Sequence, residues 1–178
     1  MTDSVLMQKV KEGDLTQASI LFHRYHRKIY HYLGKMSGDY HIAEDLTQTA
    51  FEKLIHYRNS FDSNQNFEGW IFRIAKNSYI DYTQKLKKSP TYTPLEDHMS
   101  EIANDDHQSD KNEKEEKLHK ALEALPIDYK EILILTRFQK LKYHEVAAML
   151  NTTESNIKIK VFRAIEKLRT NYFHLESI

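Results

Sequence analysis

The apolar spacing of residues 143–168 constrains the fold of this chain more than any other feature of its sequence. Two helical patterns lie on either side of a short polar break, Asn-Thr-Thr at 151–153. Asn tolerates the left-handed backbone conformation that a tight corner requires, and a Thr hydroxyl can cap the next helix. The second pattern repeats its apolar residues at intervals of three and four, at Ile157, Val161, Ala164, Ile165 and Leu168. The stretch therefore predicts two helices joined by a sharp corner.

The second of these helices carries cations on the surface that its apolar stripe leaves exposed. They are Lys158, Lys160, Arg163, Lys167 and Arg169. A short helix, a corner and a longer basic helix make a helix-turn-helix, which places its second helix in the major groove of DNA. The alternative is a solvated helical hairpin, because a short motif match has a real false-positive rate.

The composition of the 178 residues narrows the class of protein further. Only four Gly and three Pro are present, and alternating β-branched residues are scarce, so we expect an all-α fold. The absence of Cys excludes disulfides, thiolate zinc sites and cysteine nucleophiles, and fits a reducing cytoplasm. No apolar run approaches the roughly 20 residues that span a bilayer, and the N-terminus has no signal-peptide core. We therefore expect a cytoplasmic protein with no membrane insertion.

The net charge of zero hides a segregation of charge along the chain. Residues 1–88 contain 13 Lys and Arg against 10 Asp and Glu, and residues 118–178 contain 10 against 7. Residues 89–117 contain 3 against 9. Residues 89–115 also have few apolar positions, so they cannot bury enough surface to fold alone. The pattern predicts two small helical domains, at 1–88 and 116–178, joined by a flexible acidic linker.

Helical periodicity locates the elements within each domain. We expect helices at 4–12, 14–36, 40–57, 68–87, 116–125 and 128–141, with Ile132, Leu133, Leu135 and Phe138 packing the last one on the helix-turn-helix. The third helix has a buried stripe at Ala43, Leu46, Ala50 and Leu54. Its other side presents Asp45, Gln48 and Glu52, which is either a solvated face or a docking face for a basic partner.

The fourth helix combines cations, an amide and aromatic residues. Arg73, Asn77, Gln84, Lys87 and Lys88 share one face, near Trp70. Cations follow a nucleic-acid backbone and aromatic rings stack on bases, so this face suits single-stranded nucleic acid. The alternative is that Trp70 belongs to the core. His23 and His26 lie three residues apart without a third ligand, which favours surface histidines over a metal site, and no cofactor is predicted.

Four stretches, in order and across an acidic connector, resemble the extracytoplasmic-function sigma factors, the minimal two-domain class of bacterial sigma factor. AEDLTQTAF at 43–51 is similar to the family's polymerase-docking helix, with Asp45-Leu46-Thr47-Gln48 as its core. FEGWIFRIAKN at 67–77 resembles the segment that opens the −10 promoter element. ALEALPIDYKEILIL at 121–135 resembles the start of the second domain, and YHEVAAML with NIKIKVFRA completes the pattern.

This resemblance implies a protein that is not an enzyme and whose partners are core RNA polymerase, promoter DNA and an anti-sigma protein. Region 2 would occupy 1–88 and region 4 would occupy 116–178. Polymerase binding is expected at Asp45, Gln48 and Glu52. Contacts to the −10 element are expected at Asn64, Trp70, Arg73, Asn77, Lys87 and Lys88. Contacts to the −35 element are expected at Asn156, Lys158, Ile159, Lys160, Phe162 and Arg163.

Three departures from the family pattern affect the promoter sequence rather than the class. Ile159 stands where the family often has a small polar residue, Lys142 replaces a Ser cap, and Lys85, Lys87 and Lys88 replace paired arginines. Two alternatives remain. A helix-turn-helix regulator that never melts DNA would leave the stretches at 43–51 and 67–77 without a role. A helical module that binds an acidic protein would not need promoter DNA.

Overall fold

The computed structural model of the protein describes residues 1–88 and 109–176, and every regular element in these two ranges is a helix. The first range contains α1 (Asp3–Lys11), α2 (Thr16–Ser37), α3 (Tyr40–His56), a 3-10 turn (Arg58–Ser60) and α4 (Phe67–Lys88). The second contains α5 (Ser109–Glu123), α6 (Ile127–Leu133), a π-helical turn (Ile134–Phe138), α7 (Tyr143–Met149) and α8 (Glu154–Glu176). Helices α1–α4 form one compact unit, and α5–α8 form most of a second. The all-α prediction is confirmed.

Helix α2 is the centre of the N-terminal unit, because it packs against α1, α3 and α4. Its apolar residues recur with helical spacing and are buried at Leu21, Tyr25, Ile29, Tyr32, Leu33 and Met36. The stripe predicted for α3 is confirmed, since Ala43, Leu46, Ala50 and Leu54 are all buried. The opposite side of α3 is therefore left to solvent.

The turn between α2 and α3 is explained by its three residues, Ser37-Gly38-Asp39. Gly38 ends α2 with φ 73°, a left-handed conformation that glycine adopts without steric cost. The Asp39 carboxylate then caps α3, accepting hydrogen bonds from the backbone N–H of His41 at 2.8 Å and of Ile42 at 3.3 Å. This break, predicted from the sequence, is confirmed.

Helix α8 is the centre of the C-terminal unit and packs against α5 and α6. Ile157, Val161 and Ala164 are buried, as their spacing predicts. At the corner before α8, Asn151 has φ 51°, and the Thr153 hydroxyl accepts a hydrogen bond from the Asn156 N–H at 3.2 Å. The predicted left-handed corner and threonine cap are both confirmed.

The helix predicted from residue 116 begins earlier, at Ser109. Its first turns carry few apolar residues, so periodicity gives no signal there. Charge pairs one turn apart stabilise it instead: Lys117 Nζ lies 2.9 Å from Glu113 Oε1, and Lys120 Nζ lies 2.6 Å from Glu116 Oε1. The rest of the predicted linker, residues 89–108, lies outside the described residues.

The helix predicted over 128–141 is interrupted. Helix α6 ends at Leu133, and the π-helical turn at Ile134–Phe138 comes directly after it. A π turn adds a residue to the helical cycle and rotates the subsequent residues away from their expected face. Ile132, Leu133 and Leu135 are buried as expected, but Phe138 is 41% exposed. Phe138 therefore does not belong to the buried core, as its predicted packing with Ile132, Leu133 and Leu135 requires.

Candidate functional site

The first candidate surface is the polar side of α3. Asp45, Gln48 and Glu52 are exposed, whereas their neighbours Leu46 and Thr47 are buried. Gln48 Nε2 donates a hydrogen bond to Glu52 Oε1 at 2.9 Å, which aligns the two side chains along one side of the helix. The sequence-predicted set is thus brought together as one acidic surface, which we call the α3 face.

An open groove of about 720 Å³, which was not predicted from the sequence, adjoins the α3 face. Its walls come from α2 and α3. Phe22 and Phe51 meet there edge to face, with ring centroids 4.9 Å apart, and His26 stacks on Phe22 at 4.9 Å. Gln48 and Glu52 line the same groove. The adjacent pair Leu21-Phe22 was the available signal, since a helix that buries Leu21 turns Phe22 toward a neighbouring face.

The second candidate surface is the exposed side of α4. Arg73, Asn77, Lys87 and Lys88 are all exposed there, as predicted. The preceding loop is polar and exposed over 62–66, and it is held by its own side chains. Asp62 Oδ1 accepts from the Asn64 N–H at 2.9 Å, and Asn66 Oδ1 accepts from the Gly69 N–H at 2.9 Å. Asn64 is thus exposed on a loop whose backbone is fixed at both ends.

Trp70 is not part of that exposed surface. It is 6% exposed, and its ring meets Phe61 and Phe67 at centroid distances of 5.1 and 6.2 Å. Trp70, expected among the −10 contacts, is therefore not exposed as a platform on which bases could stack. Both residues lie on nearly the same side of α4, but the aromatic ends of the 61–67 loop fold over Trp70. The alternative that Trp70 is a core residue is the correct one.

The third candidate surface is the outer side of α8. All six predicted −35 residues are exposed: Asn156, Lys158, Ile159, Lys160, Phe162 and Arg163. Two of them have local partners. Asn156 Nδ2 donates to Thr152 Oγ1 at 3.2 Å, and Lys158 Nζ lies 3.0 Å from Glu154 Oε1. Such exposed contacts contribute little, so both side chains can exchange them for a ligand.

Residues 1–88 and 109–176 contain neither a metal-binding cluster nor a helix that could cross a membrane. No group of three or more His, Asp or Glu side chains there is placed to hold a metal ion. The helices in these ranges are also too short or too polar to cross a bilayer.

Models of two protein families match this chain, one in each half. A family model of sigma-70 region 2 matches residues 21–89, and a model of sigma-70 region 4 matches residues 115–168. The chain is 32% identical over 154 residues to the ECF RNA polymerase sigma factor SigM of Bacillus subtilis, covering 85% of this chain and 93% of that protein. It is 26% identical over 180 residues to the ECF RNA polymerase sigma-E factor of Escherichia coli, covering 94% and 93%.

Two solved structures share the fold. CnrH, in complex with the cytosolic domain of CnrY, matches with a TM-score of 0.65 at 19% identity, over 94% of this chain and 95% of that one. The sigma factor RpoE of Bartonella quintana, in complex with the anti-sigma factor NepR, matches with a TM-score of 0.59 at 23% identity, over 86% and 94%.

The two family matches define a protein of the sigma-70 type that contains regions 2 and 4. The chain belongs to the ECF RNA polymerase sigma factors. It is thus a transcription initiation factor that directs promoter recognition, in a family of initiation factors rather than enzymes.

Proposed function

We propose that each of the three surfaces has a separate role in transcription initiation. The α3 face docks on core RNA polymerase through Asp45, Gln48 and Glu52. The exposed side of α4 and the adjacent loop hold the unpaired −10 strand through Asn64, Arg73, Asn77, Lys87 and Lys88. The outer side of α8 binds the −35 element. In this assignment residues 1–88 act as region 2 and residues 116–178 as region 4.

The chemistry of the α3 face and its groove supports the docking assignment. Two carboxylates and an amide stand beside an open apolar groove that contains Phe22. Interfaces are most stable when an apolar centre is buried inside a polar rim that sets orientation. A partner with a basic, partly apolar helix satisfies both requirements. We therefore include the Phe22–Phe51 groove in the docking surface.

The arrangement of α4 supports the −10 assignment. Arg73, Lys87 and Lys88 provide positive charge along one helix, and Asn77 lies between them. An unpaired base leaves its stack only if a pocket replaces the lost contacts, at a cost of a few kcal/mol per base. Asn77 offers two donors and an acceptor for a base edge. Trp70 contributes by holding the 61–67 loop against α4, and not as a stacking platform.

The main support for the −35 assignment is that α8 has one buried side and one exposed side. Ile157, Val161 and Ala164 anchor it in the core, while every other residue from Glu154 to Arg163 is exposed. A helix fixed on one side and free on the other, after a short corner, has the shape that a major groove admits. Cations on it can reach phosphates and base edges.

Reconstituted transcription tests the proposal as a whole. With core polymerase and the promoters of its own gene and its neighbours, the chain should support run-off transcription, and neither component should do so alone. A helix-turn-helix regulator that never melts DNA would bind promoter DNA without polymerase and would not produce open complexes. A helical module for an acidic protein would not need promoter DNA. Either result would overturn the assignment.

We extend two features of the family to this chain. RpoE of Bartonella quintana binds an anti-sigma factor, and we propose that a separate anti-sigma protein also controls this chain. We also place its action in the cytoplasm, where core polymerase meets DNA. Co-purification of the chain with a protein encoded nearby, and loss of that protein when core polymerase is added, would support regulation by competition.

A further inference from the structure

We infer that Ile159 reads one thymine of the −35 element through the C5-methyl group of that base. The inference rests on the proposed placement of α8 in the major groove. Ile159 is 50% exposed, and Phe162, three residues later, is 66% exposed. Two large apolar side chains are thus held in solvent on α8, the helix assigned to the −35 element.

The position of Ile159 around α8 is the first argument. At roughly 100° per residue, Ile159 lies about 200° around the helix from the buried Ile157. It therefore points almost directly away from the core, which Ile157, Val161 and Ala164 define. A side chain opposite the anchored face projects furthest into a groove that the helix enters.

The two lysines that flank Ile159 are the second argument. On the same count, Lys158 and Lys160 stand roughly 100° to either side of Ile159. Cations on the two flanks of a recognition helix meet the phosphates that border the groove, and these contacts position the helix without reading sequence. Ile159 is then left facing the base edges between the two backbones.

The chemistry of the major groove is the third argument. Its base edges present hydrogen-bond donors, acceptors and one apolar group, the C5-methyl of thymine. An isoleucine pressed on N7, O6 or an amino group would desolvate that atom without replacing its hydrogen bond, which is unfavourable. Against a thymine methyl it buries apolar surface on both partners. A branched side chain with few rotamers also gives up little conformational freedom in making that contact.

The test uses holoenzyme made from core polymerase and the full chain. A −35 element is first selected by wild-type holoenzyme from duplex DNA randomised in that region. Each thymine of the selected element, on both strands, is then replaced in turn by deoxyuridine. This change removes the C5-methyl and keeps the O4 acceptor and the base pair. Equilibrium binding to each duplex is measured for the wild type, Ile159→Ser, Phe162→Ala and Lys160→Ala.

We expect deoxyuridine at one position to weaken wild-type binding about fourfold, the effect of losing one buried methyl-sized group. Ile159→Ser should bind the thymine and deoxyuridine duplexes equally. Lys160→Ala should bind both more weakly and keep the fourfold ratio, because a phosphate contact does not sense the methyl. Ile159 is exposed, so its substitution should leave the unfolding transition unchanged and any loss can be assigned to the contact.

Two results would overturn the inference and leave the proposed function standing. One is that wild-type holoenzyme binds the selected element equally well whichever of its thymines is replaced by deoxyuridine. The other is a fourfold ratio that survives in Ile159→Ser or disappears only in Phe162→Ala. Failure of the proposed function has a different signature, because wild-type holoenzyme would then select no −35 sequence at all.

Discussion

Gln48 and Glu52 are joined by a 2.9 Å hydrogen bond along the exposed side of α3, one turn apart and opposite a buried stripe. The bond satisfies one amide proton and one carboxylate oxygen and leaves the remaining polar atoms directed outward. Because Asp45 is exposed on the same side, three oxygen-bearing side chains are presented together without contributing to the core. A substitution here can therefore separate binding from folding.

We predict that Asp45→Ala combined with Gln48→Ala lowers affinity for core polymerase by an order of magnitude or more. Stability should change by about 0.5 kcal/mol or less, as is usual for exposed positions. Titration of labelled chain with core polymerase measures the first effect, and urea unfolding measures the second. Glu115→Ala, which removes an exposed carboxylate from α5, is the matched control and should bind like the wild type. Unchanged affinity in the double variant would remove the α3 face from the docking surface.

Much of the fold could be predicted because the residues that end one helix and begin the next act locally. Gly38 and Asp39 separate α2 from α3, and Asn151 and Thr153 form the corner before α8. In each case the backbone conformation or the cap is a property of that residue type and needs no distant partner. The exposed residues of α3 and α8 could then be assigned from the helical period once the buried stripes were known.

The parts that could not be predicted depend on contacts between distant residues or on a weak local signal. Trp70 is buried in part by Phe61, which reaches it from a loop whose path is not encoded in helical periodicity. The π-helical turn that exposes Phe138 is a change of register set by packing around it. The start of α5 could not be predicted from apolar periodicity, because charge pairs rather than an apolar stripe stabilise its first turns.

The burial of Trp70 gives a prediction about stability. Trp70→Ala should destabilise the chain by about 3–5 kcal/mol, the usual cost of removing a buried aromatic side chain. Arg73→Ala, at an exposed position on the same helix, should cost about 0.5 kcal/mol or less. Urea unfolding followed by circular dichroism measures both, since Trp70 is the only tryptophan and its variant has no indole fluorescence. A Trp70→Ala protein as stable as the wild type would mean that the ring is not a core element.

The pairing of a buried lysine with an exposed carboxylate gives a prediction about the C-terminal unit. Lys130 is 3% exposed, and its ammonium group donates to Glu123 Oε1. Glu123→Ala should destabilise the unit by about 1–3 kcal/mol, because the buried ammonium group loses a charged hydrogen-bond partner. Lys130→Met should be neutral or stabilising, since an apolar side chain of similar length removes the desolvation cost. Urea unfolding measures both, and Lys120→Ala, in an exposed pair, should change stability by less than about 1 kcal/mol.

The same pair predicts how stability depends on pH. Burial lowers the pKa of Lys130 below the ordinary lysine value of 10.5, although Glu123 opposes the shift. Between the lowered pKa of Lys130 in the folded chain and its ordinary pKa in the unfolded chain, the unfolded chain binds more protons. The free energy of unfolding therefore rises with pH in that range. This increase in the free energy of unfolding is lost as the pH falls through the pKa of Lys130 in the folded chain. Lys130→Met should remove this rise, and a variant with an unaltered alkaline profile would contradict the assignment.

The last prediction concerns Asn77, which is exposed on α4. If its amide grips a base extruded from the −10 element, Asn77→Ala should leave polymerase docking and −35 binding unchanged. Open-complex formation should fall, because the cost of unstacking, a few kcal/mol per base, is no longer offset. Permanganate reactivity of unpaired thymines measures the opening. Asn59→Ala, which removes another exposed amide of the N-terminal unit, is the matched control.

A template with a premelted −10 region separates the two contributions of Asn77. It removes the cost of opening, so transcription by Asn77→Ala should recover in part. It does not replace the hydrogen bonds to the base edge, so the preference for one −10 base should remain lost. Full opening of duplex promoter with an unchanged base preference would exclude Asn77 from the site. The preference would then come from another residue of this surface, such as Asn64, while the cations of α4 contact the backbone of the strand.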